Sequence, residues 1–430
     1  MKRLLTLSAA VLAFASAPLA AQDIAITGAT VATGDGSDPI ENATVVVRSG
    51  RVVAAGQGVS VPAGVPVLDG SGTWVTPGLF ASITNLGLVD VGAVASSNDI
   101  RAGDSPYDAA LDVAPAINPS AQDFGYSRAG GVTRATVVPD ASSGIFAGQG
   151  AVVDLGADYD AVTHRRAFQI VEMGERGASL AGGSRTSVHA MVRNALSEAE
   201  YYARTGDWDE DGMLSRLDAQ ALSHVVTGEQ KLYVTVHRAA DILSVLALRE
   251  EFPRLDMVLT GATEGWMVAD RIAASGVPVI TSALTDLPES FERLGATQSN
   301  VGRMVDAGVT VAIGGYESSG DHPRNLPQQS GNLVALNRVP GATGLTWGEA
   351  FAAITSVPAR IAGLEGRAGV LASGAYGDLV VWDGDPLEVS SAPLRVFIDG
   401  VEQPLDNHQT RLRERYRTLD ESELPPAYRR

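Results

Sequence analysis

Six histidines and no cysteine restrict metal or nucleophile chemistry in this chain to imidazole, carboxylate and hydroxyl groups. Thiolate metal sites, a cysteine nucleophile and lipid attachment to a cysteine are excluded. His237 ends the apolar run "KLYVTVH", which puts an imidazole at the C-terminal tip of a strand. Asp321 and His322 follow the Gly- and Ser-bearing stretch "GGYESSG"; they read either as a substitute base or ligand or as an ordinary polar loop. His164, His189, His224 and His408 lack any spacing that suggests ligation and read as solvated or structural. A separate constellation is "DWDEDGMLSRLD". Asp207, Asp209 and Asp211, then Gly212, the Met213 carbonyl, Ser215 and Asp218 match the ligand order of a calcium loop, with Asp in place of the usual final Glu. The alternative is an acidic link between helices that needs no ion, because Asp is common at helix N-termini. No G-x-S-x-G occurs, so a serine nucleophile elbow is unsupported.

These residues need a scaffold, and the chain shows two textures. From Ile24 to Val75, short β-rich runs such as "IAITGATVAT" and "ATVVVRSGRVVAAG" alternate with Ser-Gly, Asp-Gly and Gly-Ser turn pairs, the pattern of a small antiparallel sheet. "GDLVVWDGDP" and "LRVFIDGVEQ" repeat it near the other end, so the two ends are expected to form one domain. Between them "GVTRATVVP", "KLYVTVH", "LDMVLTGA", "GVPVITSA" and "GVTVAIGG" are apolar runs of strand length. Helical stretches come after them, including 239–251, 264–275, 298–307 and 347–356. Near-continuous apolar strands suit a parallel sheet buried on both faces. Repeated βα units without a dinucleotide-binding glycine fingerprint favour a closed barrel over an open doubly wound sheet.

The first 21 residues read as an export signal: Lys2 and Arg3, an apolar run from Leu4 to Phe14, then small residues to Ala21. That run is too short for a membrane span. Removal of Lys2 and Arg3 takes the formal charge from −18 to −20, which argues against a nucleic-acid or anionic-membrane partner. A content of 45% apolar residues places the chain among globular proteins. The expected organisation is a signal at 1–21, a composite β-sandwich from 22–74 and 362–402, a barrel over 75–361 and a polar tail at 403–430. No sequence feature points to an oligomeric state.

The β-rich start, the "VTPGL" entry into the barrel and the closing "AGVLASGAYGDLVVWDGDPL" together resemble the amidohydrolase superfamily, in its secreted, imidazolonepropionase-like branch. Gly369, Leu371, Gly374, Asp378, Leu379, Val380 and Val381 carry the most specific part of the likeness. "GVTRATVVP", "SRTSVHAMVRNAL" and "ITSVPARIAGLEGRAG" extend it over nearly the whole mature chain. The resemblance implies an α/β fold, a TIM-like (β/α)8 barrel with a small composite β-sandwich. It also implies one or two divalent metals, typically zinc, at the strand ends, where a metal-bound water is activated and an Asp of the last strand handles protons.

Carried over position by position, this chemistry is depleted. Ile83 and Asn85 stand where the first barrel strand should carry two histidines. Glu172, in "FQIVEMGE", is the nearest substitute for a bridging Lys or Glu. His237 survives, as a remnant metal ligand, a ligand-binding imidazole or an inherited histidine bonded to a neighbour. Gly261 replaces the next His, and Gly315 or Tyr316 the catalytic Asp, unless a shifted alignment brings in Glu317 or Asp321. The expected catalytic set is therefore His237, Asp321 and Glu172, in a pocket with Ile83, Asn85, Gly261, Tyr316 and His322. A two-metal centre is expected to be absent. By resemblance the protein is an exported hydrolase of carbon–nitrogen bonds in small amide or peptide-like molecules; the alternative is an inactive relative that binds a small ligand or a partner chain.

Overall fold

β-branched and small apolar residues between turn pairs form the first five strands, β1 (Ile24–Val31), β2 (Ile40–Arg48), β3 (Arg51–Gly56), β4 (Val67–Asp69) and β5 (Trp74–Pro77). In the computed structural model, which describes residues 21–314, 322–417 and 427, Arg48 faces Arg51 across the β2–β3 hairpin. Ser49 and Gly50 both take positive φ there, 48° and 75°. Such a two-residue turn matches the strand twist, which is why a Ser-Gly pair marks it.

The chain then enters the barrel strands β6 (Leu79–Thr84), β7 (Val132–Val137), β8 (Phe146–Asp154), β9 (Val162–Glu172), β10 (Lys231–Val236), β11 (Met257–Gly261), β12 (Val279–Thr281) and β13 (Val311–Ile313). They pair in sequence order as one eight-stranded sheet, and a parallel bridge between Ser82 and Gly314 brings its edges together. Fold class and strand number agree with the barrel expectation. The regular βα alternation fails at one place: β8 runs antiparallel to both β7 and β9. The connections at 138–145 and 155–161 are too short for the helical crossover that parallel neighbours require.

The return strands β14 (Leu379–Trp382), β15 (Pro393–Ile398) and β16 (Val401–Glu402) join the first five in a second sheet of eight strands. β14 lies against β5 with Leu379 opposite Pro77, so this sheet reaches Pro77, slightly beyond the boundary at 74 that composition suggested. The expected helices are shorter than their sequence patterns. The stretch 239–251 breaks into Ala239–Leu246 and Leu248–Glu251, and 347–356 ends its first helix at Ala352. The polar tail carries a helix at His408–Tyr416. Among the described residues no helix is long and apolar enough to cross a membrane.

Phe168, Ile170, Tyr233, Val258, Ile280 and Ala312 fill the barrel interior, with the Phe168 and Tyr233 rings stacked at 4.1 Å. Between barrel and sheet lies an ion network. Arg134 of β7, 2% exposed, donates to Asp378 at 2.6 Å and to Asp399 at 2.9 Å, and its guanidinium sits 3.9 Å from the Tyr376 ring centre. Burial beside the negative charges of Asp378 and Asp399 pushes the Asp154 carboxyl up to about 7 despite nearby Arg134. Removing one partner of a buried pair leaves the other charge uncompensated. Arg134→Met is therefore expected to cost about 3–5 kcal/mol in urea unfolding, and a loss below about 1 kcal/mol would refute that role.

Candidate functional site

Side chains alternate along a strand, so Tyr233, Thr235 and His237 share one face of β10 and its tip, as Ile170 and Glu172 share one face of β9. The parallel register sets Thr235 beside Glu172 and beside Thr260. These residues line a cavity of about 320 Å³ at the C-terminal ends of the barrel strands, within the range of small-ligand sites. Val138, Pro139, Ile83 and Ile280 form apolar wall, while Asp140, Arg176, Ser282, Glu292 and Arg293 are polar lining.

His237 is 5% exposed and both ring nitrogens are engaged. Nδ1 lies 2.9 Å from Thr263 Oγ1 and Nε2 lies 3.1 Å from Arg293 Nη2. A guanidinium can only donate, so Nε2 accepts and the ring proton sits on Nδ1, donated to Thr263. Burial, reinforced by the Arg293 charge, lowers the imidazole pKa to about 3; the ring is neutral. Gly261 makes its place possible. At φ 89°, a Cβ on residue 261 would stand 2.4 Å from His237 Cε1, so a histidine there could not coexist with this ring position.

Arg293 is delivered by the connection after β12, which is tied to the barrel. Glu264 accepts from the Gly295 N–H at 2.8 Å and from the Ala239 N–H at 3.0 Å, and Trp266 Nε1 donates to the Gly295 carbonyl at 2.8 Å. Glu292 accepts from the Glu175 N–H at 2.7 Å. Opposite, burial pushes the Glu172 carboxyl up to about 7, against the smaller opposing effect of Arg176. Ile83 holds φ 56°, costly for a β-branched residue, and its N–H donates to Thr136 Oγ1 at 2.8 Å.

The structure therefore brings together Glu172, His237, Ile83 and Gly261, and separates others. Asn85 does not line the cavity; its carbonyl accepts from the Leu88 N–H in a turn. His322 is likewise not among the lining residues, its ring packing edge-on against Tyr126 at 6.0 Å. Gly315, Tyr316, Glu317 and Asp321 lie outside the described residues. The calcium reading of 207–218 is corrected. Ser215 caps the helix Arg216–Val226, while Asp218 turns inward, is 6% exposed and accepts from the Asp108 and Ala110 N–H groups. The Met213 and Leu214 N–H groups go to Glu198, and Asp209 accepts from the Asp211 N–H. The spacing matched because an Asx turn leading into a helix cap also places Asp and Ser at such intervals. Sequence reasoning missed Tyr233 and Thr235, which period-two alternation from His237 would have found. It also missed Arg293, for which no local pattern exists.

The described residues do not fit the divalent metal that the resemblance implies. Among the described residues no group of three or more His, Asp or Glu is placed to hold an ion. The lone pair that His237 would offer already accepts from a cation, and Ile83 has no donor atom.

Two measurements check this geometry. Gly261→Ala is expected to lose at least about 1 kcal/mol from its left-handed backbone alone, with displacement of the His237 ring; unchanged urea unfolding would refute it. For Glu172, the folded carboxyl near 7 keeps a proton that the unfolded one, at its ordinary 4.5, has released. Stability therefore falls as pH rises through that window, and Glu172→Gln removes the fall. The variant should gain on the order of 2 kcal/mol relative to the parent between about pH 5 and about pH 8; parallel stability profiles would contradict this.

Comparison with known proteins agrees with the architecture. Residues 215–404 match the profile of the amidohydrolase family. An imidazolonepropionase of Maricaulis maris is 25% identical over 385 residues, 84% of this chain and 92% of that protein. One of Mesorhizobium japonicum is 24% identical over 382 residues, 83% and 90% of the two chains. The crystal structure of an amidohydrolase from Thermotoga maritima superposes with a TM-score of 0.77 at 24% identity, covering 88% of this chain and 99% of the other, a likeness of fold. With its returning sheet and these relatives, the chain is similar to amidohydrolases over most of its length, and residues 215–404 match the family's profile.

Proposed function

We propose that the barrel mouth of this amidohydrolase relative binds a small amide- or peptide-like molecule without a two-metal centre. One observation carries this reading: His237, whose imidazole the resemblance makes a metal ligand, spends its Nε2 lone pair on Arg293. Two features of the cavity support a ligand. The Tyr233 hydroxyl, on a side chain 1% exposed, and the Ser282 hydroxyl are buried cavity-lining groups with no hydrogen-bond partner among the described residues. An unsatisfied buried hydroxyl is costly, and a ligand acceptor would relieve it.

A second reading is hydrolysis of carbon–nitrogen bonds, the chemistry that the family resemblance implies. It is favoured by Glu172 alone, whose carboxyl near 7 suits proton transfer at neutral pH; Asp321 is the other proposed participant. We further propose that residues 1–21 direct export, which places the site in the periplasm or outside the cell.

Elemental analysis together with amide and dipeptide hydrolysis assays tests these readings. We expect no stoichiometric zinc, manganese, iron or nickel, no chelator-sensitive turnover, and a raised unfolding temperature with amide ligands. Stoichiometric metal lost in His237→Ala, with chelator-sensitive turnover, would sink the binding reading. Chelator-resistant turnover abolished in Glu172→Gln would install the second.

A further inference from the structure

A second cavity, also of about 320 Å³, lies between the helix Gln122–Ala129, the loop 157–159 and the start of the helix His408–Tyr416. None of its lining residues lines the barrel mouth. Arg128 is its most buried charged group, 7% exposed. Its Nε donates to the Pro404 carbonyl at 3.3 Å and its Nη1 to the Leu155 carbonyl at 2.9 Å. A guanidinium carries five N–H donors, and Nη2 has no partner among the described residues. Both acceptors are neutral, so Arg128 makes no ion pair among those residues. Burial pulls its pKa down, and the Asp158 charge offsets only part of that effect.

Of the other charged groups in the lining, Arg411 and Asp406 answer each other at 3.8 Å, beside His408. Asp158 is exposed, accepts from the Asp160 N–H at 2.9 Å and makes no ion pair among the described residues. The cavity is thus lined by a cation and an anion that interact through space without touching. A buried guanidinium without a carboxylate is costly. A molecule that carries a carboxylate and an ammonium on one short frame completes both groups. A simple anion would answer Arg128 and meet the repulsion of Asp158, and a simple cation would do the reverse.

We propose that this cavity binds a small zwitterion of the α-amino-acid type, with its carboxylate on Arg128 and its ammonium on Asp158. The site is separate from the barrel mouth, and the inference does not depend on what binds there. Occupancy has a structural consequence. The helix His408–Tyr416 has no buried residue. The chain entering it is held by bonds from the same neighbourhood, Arg128 to the Pro404 carbonyl and the Ala157 N–H to Gln403 Oε1 at 2.9 Å. Asn407 and Arg411 form the wall that faces this entrance from the C-terminal helix. A ligand seated between them and Arg128 therefore closes that helix onto the helix Gln122–Ala129.

Calorimetric titration with leucine, N-acetylleucine and leucinamide near neutral pH, combined with hydrogen exchange over residues 407–416, tests this. The parent protein should bind leucine at least about tenfold more tightly than either single-charge probe, and leucine should slow exchange in 407–416. Arg128→Gln keeps an N–H donor and loses the charge, and it should erase the advantage of leucine over leucinamide. Asp158→Asn, at an exposed position, should erase the advantage over N-acetylleucine. If Arg128→Gln does not fold, Asp158→Asn decides alone: an undiminished preference for leucine over N-acetylleucine in that variant overturns the inference. Leucine binding that leaves exchange in 407–416 unchanged and survives both substitutions also overturns it, by placing the ligand elsewhere. Equal binding of leucine and N-acetylleucine by the parent overturns it in favour of a simple anion site, and so does no measurable binding of leucine, which leaves an empty cleft.

Discussion

The buried contact between Arg134 and Asp378 joins the two halves of this protein. Arg134 belongs to the second barrel strand, and Asp378 immediately precedes the strand with which the chain returns to its N-terminal sheet. The bond is charge-assisted, two-pronged and nearly free of water, the situation in which an ion pair is costly to break from one side. Asp378 also accepts from the Asp399 N–H at 2.8 Å, so the same carboxylate fixes the turn between β15 and β16. Trp382 adds a neutral bond from its indole to Thr76 Oγ1 at 2.9 Å. The composite sheet is thereby held to the barrel through its C-terminal strands, with β14 tied in turn to β5, and the closing "GDLVVWDGDP" segment has a structural reason for its composition.

A scaffold locked in that way leaves the barrel mouth free to change. The cavity lies at the C-terminal ends of the barrel strands, lined by side chains from several of them. The His237 imidazole lies close over Gly261, and the Arg293 guanidinium from a neighbouring connection donates to it. Each of these depends on the next: the ring can lie flat only over a residue without Cβ, and Arg293 can donate to it only because the ring is neutral. Glu172, raised by burial, completes a cavity whose groups are arranged for hydrogen bonding and polarisation. The strained φ of Ile83 is consistent with a functional region, where such conformations concentrate.

Features governed by local chemistry were readable in the chain alone. Turn pairs such as Ser49-Gly50 announced the hairpins, apolar runs announced the buried strands, and "VTPGL" announced the passage into the barrel, where a Cβ on Gly78 would collide with Thr133. That residue 83 offers no lone pair was also legible, because it concerns residue identity alone: no fold gives Ile83 a donor atom. Features that depend on proximity in space were settled by the packed molecule. Packing made β8 antiparallel through connections too short to cross over, and it turned Asp218 inward, where it accepts from the Asp108 and Ala110 N–H groups as well as from Ser215. It also carried Arg293 across 56 positions to His237. No periodicity encodes such a meeting, because it depends on where Glu264 and Trp266 anchor a long connection, and that is set by packing among elements far apart in the chain.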